Sequence, residues 1–146
     1  MDGQRTAVVD GANVAFLERT RDDKPKVSNI VAVCQALEQE GYTSIIIVDA
    51  SLRHQVDDPD QLEGLFDKGV VRQAPAGTQA DFFVLATADI EDALVVSNDT
   101  FEEYQRQYPW IADRRVTLMI IGGEVILHFP SGLQARHAAD PAVSGR

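Results

Sequence analysis

The stretch TAVVDGANVAF, residues 6–16, decides how the fold of this 146-residue chain is interpreted. Its opening residues are rich in β-branched apolar side chains, which are typical of a buried strand. The strand ends in the carboxylate of Asp10, and Gly-Ala-Asn follows at once, with no cationic side chain nearby in the sequence. A buried carboxylate needs a compensating charge or hydrogen bonds. The charge of Asp10 therefore needs a partner that this stretch of the sequence does not supply.

Apolar runs and helical patterns alternate along the rest of the sequence. The predicted strands are 6–10, 44–50, 70–75, 93–99 and a closing hairpin built around Gly122-Gly123. The predicted helices run from a Ser28 cap to Gly41, from Pro59 to just before Gly69, over 78–92 and over 100–108. This alternation predicts an α/β fold, a Rossmann-like three-layer α/β/α sandwich with a mostly parallel sheet and a C-terminal β-hairpin. Ligands of such sheets bind outside the carboxyl ends of the strands.

Composition limits the class of protein. Hydrophobic residues make up 45% and charged residues 25% of the chain, as in soluble globular proteins. The length fits one domain, predicted at 1–129 with a flexible tail at 130–146. No apolar run approaches the ~20 residues of a membrane helix, and the single cysteine, Cys34, excludes an internal disulfide. We therefore expect a cytoplasmic protein that has no contact with a membrane.

The net charge of −10 argues against a broad basic face for nucleic acid. It does not argue against a narrow site in which carboxylates hold a divalent cation. Asp10 ends the first strand, and Asp81 lies in the first turn of the helix after the third strand. Asp99 follows the fourth strand, with Glu103 one helical turn beyond it. Carboxylates that meet at one sheet edge need a counter-charge, and their oxygen ligands suit Mg²⁺ or Mn²⁺.

Each of these acids also has a structural interpretation. Thr78-Gln-Ala-Asp81 fits a helix capping box, and so do the segments that begin at Asp99 and Thr100. Asn13 would cap a helix or turn, or orient Asp10 through an amide hydrogen bond. Asp49 is expected to be structural, or to support the site without being a metal ligand, because nothing after it repeats the Asp-Gly-x-Asn pattern. Capping explains the acids one at a time but not their joint placement on one edge.

Three motifs occur in order between residues 6 and 129: VVDGANVAF, ADFFVLATA and VVSNDTFEEY. Together they resemble the NYN/PIN-like nucleases, and within them the Regnase-type ribonuclease domain. The resemblance implies a PIN-like fold and hydrolysis of RNA phosphodiester bonds with Mg²⁺ or Mn²⁺. It also implies an acidic metal site supported by Asn13 and formed by Asp10, Asp81, Asp99 and Glu103. The chain departs from the family at Ala80, where a second aspartate is common, and at Glu103, where an aspartate is common.

Cationic side chains near the first motif are candidates to hold RNA phosphates. They are Arg19, Arg21, Lys24 and Lys26 in the loop after the first strand, and Arg53 after the second. Endonucleolytic attack on single-stranded RNA is the expectation that goes with the resemblance to these nucleases, and the cationic residues do not decide it. Because the same loop contains Glu18, Asp22 and Asp23, a solvated surface loop is the alternative.

Two other functions stay open on the sequence. A catalytically silent PIN-like interaction or regulatory domain is favoured by the departures at Ala80 and Glu103. A haloacid-dehalogenase-like phosphatase also opens with a strand that ends in aspartate, but that chemistry usually needs a second acid where this chain has Ala12. A homo-oligomer, a protein partner or a neighbouring domain is also compatible with the sequence.

Overall fold

The computed structural model describes residues 5–130, so the predicted tail lies outside the described residues except for its first residue. The strands are β1 Arg5–Asp10, β2 Tyr42–Val48, β3 Val71–Gln73, β4 Leu94–Val96, β5 Arg115–Ile121 and β6 Glu124–His128. The helices are α1 Gly11–Ala15, α2 Val27–Gln39, α3 Pro59–Asp67, α4 Ala80–Glu91 and α5 Ile111–Arg114. Two short 3-10 helices, Ala50–His54 and Glu102–Tyr104, follow β2 and β4.

The six strands form one sheet in the order β3-β2-β1-β4-β5-β6. β1 pairs in parallel with β2 on one side and with β4 on the other, which places Val9 beside both Ile46 and Val96. β6 alone is antiparallel, and it returns along β5. Both glycines of the hairpin turn, Gly122 and Gly123, have positive φ, as a two-residue turn of this kind requires. The predicted α/β fold and hairpin are confirmed.

Helices cover both faces of this sheet and make it a three-layer sandwich. On one face Val9 and Val48 pack in a core that includes Ile30 of α2. On the other face Val8 and Val95 pack in a second core with residues of α4. β2 and β3 lie on one side of β1, and β4, β5 and β6 lie on the other, so the strand order reverses between β1 and β4. Sheets of this kind bind ligands at such a point. None of the helices within residues 5–130 has the length and apolar character needed to span a bilayer.

Two predicted helices differ from the observed ones. α2 begins at Val27 instead of after a Ser28 cap, because the backbone N–H of Val27 donates to the Asp57 carboxylate at 3.0 Å. The helix predicted at 100–108 is only one 3-10 turn, Glu102–Tyr104. Phe101 has a φ of +53° and its N–H donates to Asp99 Oδ1 at 2.8 Å, so the backbone turns instead of entering an α-helix.

The short helix α1 was not predicted. It begins at Gly11, directly after the last residue of β1. Asp10 is the N-cap of α1 and accepts from the Asn13 N–H. Gly11 lies so close to β2 that an added Cβ would stand 2.9 Å from the Ile47 carbonyl oxygen and 2.5 Å from Val48 Cγ1. A side chain at this position would push α1, and with it Asp10, away from the sheet.

We therefore expect Gly11→Ala to lower the free energy of unfolding by about 1–3 kcal/mol, as overpacking of a core does. Gly64→Ala is the matched control, since Gly64 lies in helix α3 and a methyl group added there would meet nothing within 4 Å. This control is expected to gain roughly 0.5–1 kcal/mol by restricting the unfolded chain. Urea unfolding of the two variants measures both effects, and equal changes of the same sign would contradict the tight approach of α1 to β2.

Candidate active site

The carboxylate of Asp10 is buried at the end of β1, where only 6% of the residue is exposed. Its Oδ2 accepts from Ser97 Oγ at 2.9 Å and its Oδ1 accepts from the Asn13 N–H at 3.5 Å. Burial raises the pKa of Asp10 to about 6, against the opposing effect of the Ser97 hydrogen bond. The negative charges of Asp81 and Asp99 raise this pKa further. Hydrogen bonds alone therefore leave Asp10 short of a counter-charge.

Asp81 and Asp99 bring two more carboxylates to the same place. One oxygen from each of the three aspartates lies within 4.8 Å of the others. Burial raises the pKa of the half-buried Asp81, and the negative charges of Asp99, Glu103 and Asp49 raise it further. The N-cap of α4 is Gln79 and has no side-chain cap hydrogen bond, so the capping box that was an alternative explanation of Asp81 does not form.

The turn after β4 links Asp10 to Asp99 through one hydroxyl group. Ser97 Oγ donates to Asp10 and accepts from the Asp99 N–H at 3.0 Å. Asp99 Oδ1 in turn accepts from the N–H of Phe101, a buried residue in the left-handed region. A non-glycine residue in that region is strained. Asp99 therefore both closes the turn and faces the cleft, so the structural and functional interpretations of this residue are compatible.

Asn13 fixes α1 relative to this turn. Its side-chain oxygen accepts from the Asn98 N–H at 3.0 Å. Asn98 then bonds Leu118 of β5 twice, donating to its carbonyl at 2.8 Å and accepting from its N–H at 2.9 Å. The amide of Asn13 thus belongs to a chain of hydrogen bonds that sets the position of Asp10 relative to Asp99.

Glu103 lies at the rim and outside the tight group of three aspartates. It lines a cavity of about 430 Å³ together with Asp81, Asp99 and Tyr104. The Tyr104 hydroxyl donates to Gln79 Oε1 at 2.8 Å, which connects the 3-10 helix to the start of α4. Tyr104 closes the motif VVSNDTFEEY, but sequence reasoning about acids gave it no role.

The three aspartates open into a cleft of about 400 Å³. Its other lining residues come from α1 and the segment after it: Ala12, Asn13, Phe16 and Leu17. Ala12 therefore faces this cleft at the position where the phosphatase alternative would need an acid. Phe16 and Leu17 were not predicted as site residues, and their only signal was their place directly after Asp-Gly-Ala-Asn. Another cavity, of about 450 Å³ beside Cys34 and Tyr42, lies near the amino ends of β2 and β3.

The predicted cationic residues are placed differently from one another. Arg21 and Lys24 are exposed on the loop before α2, while Lys26 Nζ lies 3.9 Å from Glu18 Oε1. Arg19 pairs with Asp23 at 3.2 Å on the same loop. Arg53 has its guanidinium 4.0 Å from the centre of the Phe66 ring and 3.0 Å from Glu63 Oε2, so it packs against α3.

The residues of the cleft fit a hard divalent cation. Such cations take carboxylate oxygens as ligands, and the three aspartates each offer one within a small volume. Among residues 5–130, the salt bridges involve other acids than Asp10, Asp81 and Asp99. The three close carboxylates therefore have no cationic side chain within that range as a partner, and the pKa of one of them, Asp10, is raised to about 6. A bound cation would stabilise their charged forms.

Comparison with known proteins identifies the family. The model of the Zc3h12a-like ribonuclease NYN domain matches residues 3–139. The chain belongs to this family. That result confirms the resemblance carried by the three motifs, and the match extends past the boundary predicted at 129.

Solved structures of similar fold come from Arabidopsis thaliana. The crystal structure of nuclear proteinaceous RNase P 2 has a TM-score of 0.71 at 23% identity, over 90% of this chain and 31% of that one. A second structure, of nuclear protein-only RNase P 2, has a TM-score of 0.70 at 21% identity with the same coverage. The chain thus spans about a third of the length of these proteins, and the likeness shows a shared fold. No curated protein sequence is detectably similar.

The buried carboxylate predicts an unusual dependence of stability on pH when metal is removed. Folding raises the pKa of Asp10 to about 6, above the ~3.9 of an unfolded chain. Its contribution to stability is therefore full below about pH 4 and is lost as the pH rises through about 6. In EDTA, Asp10→Asn should gain roughly 2–3 kcal/mol relative to wild type between pH 4 and pH 8.

Urea unfolding at a series of pH values measures that difference. Asp22→Asn, on an exposed loop position, controls for the loss of one negative charge. A difference between wild type and Asp10→Asn that does not change with pH would show that Asp10 is not held in an unfavourable charged state.

Proposed function

We propose that this domain is a divalent-metal-dependent ribonuclease that cuts single-stranded RNA endonucleolytically. The observation that carries the proposal is the convergence of Asp10, Asp81 and Asp99 within 4.8 Å at the carboxyl ends of β1 and β4. Membership of a ribonuclease NYN family supports hydrolysis of a phosphodiester bond. The geometry supports metal dependence, because the three carboxylates are close enough to hold the cation that such hydrolysis commonly uses.

The three aspartates would hold Mg²⁺ or Mn²⁺, with Glu103 joining from the rim and Asn13 positioning Asp10. A cation bound there would polarise the scissile phosphate and lower the pKa of a water molecule. Ser97 donates to Asp10 Oδ2, and the Asn13 N–H donates to Asp10 Oδ1. Together these two hydrogen bonds fix the orientation of the carboxylate. This fixed orientation is what second-layer hydrogen bonds contribute to metal sites.

Asp99 is our candidate to orient the attacking water and accept its proton. The Phe101 N–H holds Asp99 Oδ1 at 2.8 Å, which keeps the side chain in one orientation at the cleft. The water oxygen forms a bond to phosphorus as the bond from phosphorus to the 3′ oxygen breaks, and that oxygen takes up a proton. The products are a 5′-phosphate and a 3′-hydroxyl.

Cations near the cleft would hold the RNA backbone on either side of the scissile bond. Arg21 and Lys24 are the exposed cations of the adjacent loop, and Arg19 and Lys26 flank them. Arg53 would contribute only if it left Glu63 and Phe66. With a net charge of −10 against it, binding by so few phosphate contacts should be modest in affinity and weakened by salt.

Cleavage of labelled single-stranded RNA in Mg²⁺ or Mn²⁺ tests the proposal. Asp81→Asn and Asp99→Asn should each reduce the rate by more than about 100-fold, because loss of a ligand should exceed the 10–100-fold cost of losing its supporting residues. EDTA should abolish cleavage. Asp113→Asn, an exposed acid of α5, is the matched control and should cleave as wild type does. Opening of a circular RNA would distinguish endonucleolytic from exonucleolytic attack.

Two outcomes would contradict the ribonuclease proposal. Cleavage that survives both substitutions would place the activity in another site or another protein. Absence of cleavage on several RNAs, with no stabilisation of the fold by Mn²⁺, would favour the silent interaction domain. A site occupied at 100 times its dissociation constant stabilises a protein by about 2.7 kcal/mol, which a thermal melt would detect.

A further inference from the structure

The loop of residues 18–26, between α1 and α2, has an ordered backbone although residues 21–24 are exposed to solvent. Arg19 and Pro25 form an isolated antiparallel bridge across it. Within it the Thr20 N–H donates to the Lys24 carbonyl at 2.9 Å, and the Asp23 N–H donates to the Thr20 carbonyl at 2.8 Å. The Lys24 N–H also donates to Thr20 Oγ1 at 3.1 Å. The loop is therefore a small hairpin with a defined shape.

Both ends of this loop are fixed to the rest of the domain. The Glu18 carboxylate accepts from the N–H groups of Gly122 and Gly123 at 3.0 and 3.3 Å, which joins the loop to the β5–β6 turn. The Asn29 side-chain amide donates to the Glu18 carbonyl at 2.9 Å. At the other end, the Asp57 N–H donates to the Pro25 carbonyl at 3.0 Å. The backbone of the loop is thus held in place directly after Phe16 and Leu17, which line the cleft.

Arg19 is held against the wall of the acidic cleft by two contacts. Its guanidinium carbon lies 4.9 Å from the centre of the Phe16 ring, and Phe16 lines the cleft with the three aspartates. Arg19 Nη1 lies 3.2 and 3.3 Å from the two oxygens of Asp23, whose backbone has a φ of +65°. The Arg19 side chain remains 45% exposed. The planar guanidinium group therefore belongs to a partly exposed side chain that contacts a residue of the cleft wall.

The ion pair changes what Arg19 is suited to bind. Asp23 engages Arg19 Nη1, whereas the salt bridges of residues 5–130 do not include Arg21 or Lys24 of the same loop. The planar face of Arg19 is unaffected, and guanidinium planes and aromatic rings are the surfaces on which unpaired bases stack. Two other close pairs of this kind, Arg53 over Phe66 and Arg114 over Trp110, involve rings that do not line the acidic cleft.

We propose that Arg19, supported by Phe16 and pinned by Asp23, is the platform on which an unpaired nucleobase of the RNA stacks next to the scissile phosphate. The proposal rests on the ribonuclease function proposed above and adds the residue that recognises the unpaired bases of the substrate. A base inside a duplex is stacked on both faces by its neighbours, so the platform selects single-stranded over double-stranded RNA. Arg21 and Lys24 would contact phosphates, whatever the base.

Binding of two fluorescent oligonucleotides tests the platform. One is a single-stranded 12-mer of uridine, and the other has the same ribose-phosphate backbone with abasic residues throughout. Anisotropy in Mg²⁺ is measured in the Asp99→Asn background, so that the RNA stays intact. Arg19→Lys, which keeps the charge but loses the plane, should weaken binding of the base-containing strand about 5- to 100-fold and leave the abasic strand unchanged.

Three further variants separate stacking from charge and from loss of fold. Phe16→Leu keeps an apolar side chain in the cleft wall and should reproduce the selective loss. Arg21→Ala should weaken both oligonucleotides to the same degree. Lys68→Ala, an exposed cation at the end of α3, should change neither. Thermal melts identify any variant whose fold is lost, and the conservative Arg19→Lys substitution then decides.

The outcomes distinguish the platform from the ribonuclease proposal itself. If wild type cleaves RNA and Asp99→Asn does not, the ribonuclease proposal stands. Binding of the base-containing strand by the Arg19→Lys variant that is as tight as without this substitution would then overturn the platform alone. An equal loss on both strands would make Arg19 a phosphate ligand and would also overturn it. If wild type neither binds nor cleaves RNA, both proposals fail.

Discussion

The burial of one carboxylate, that of Asp10, is the constraint on which the rest of the site depends. Gly11 allows α1 to follow β1 directly while lying close to β2. Asp10 is therefore buried at the end of β1, which lies between β2 and β4. Ser97 supplies a hydrogen bond there, yet the pKa of Asp10 is still raised to about 6. The fold thus keeps an acid in an unfavourable environment, which is common at functional sites.

Hydrogen bonds connect Asp10 to the other elements that form the cleft. Ser97 joins Asp10 to the turn that carries Asp99, and Asn13 joins α1 to Asn98, which is bonded in turn to β5. The β5–β6 turn then holds the loop of residues 18–26 through Glu18. The C-terminal hairpin therefore has two roles. It completes the sheet, and it supports both the acidic turn and the cationic loop on the rim of the cleft.

Sequence patterns predicted the features that depend on local periodicity or on parallel topology. The buried strands, the hairpin at Gly122-Gly123 and the convergence of Asp10 with Asp81 and Asp99 follow from such patterns. Features that depend on long-range contacts were missed. Asp57 caps α2 from thirty residues away, and Glu18 orders its loop through glycines more than a hundred residues away. The helix predicted at 100–108 does not form because Phe101 adopts a left-handed backbone conformation with its ring buried. The packing of that ring outweighs the local helical propensity.

Diffraction from crystals grown with Mn²⁺, measured at a wavelength where manganese scatters anomalously, tests the central claim most directly. We predict an anomalous peak in contact with carboxylate oxygens of Asp10, Asp81 and Asp99, and the loss of that peak in Asp81→Asn crystals. A peak elsewhere on the domain, or none at the carboxyl ends of β1 and β4, would contradict the account. It would mean that the three aspartates meet for a reason other than holding a cation.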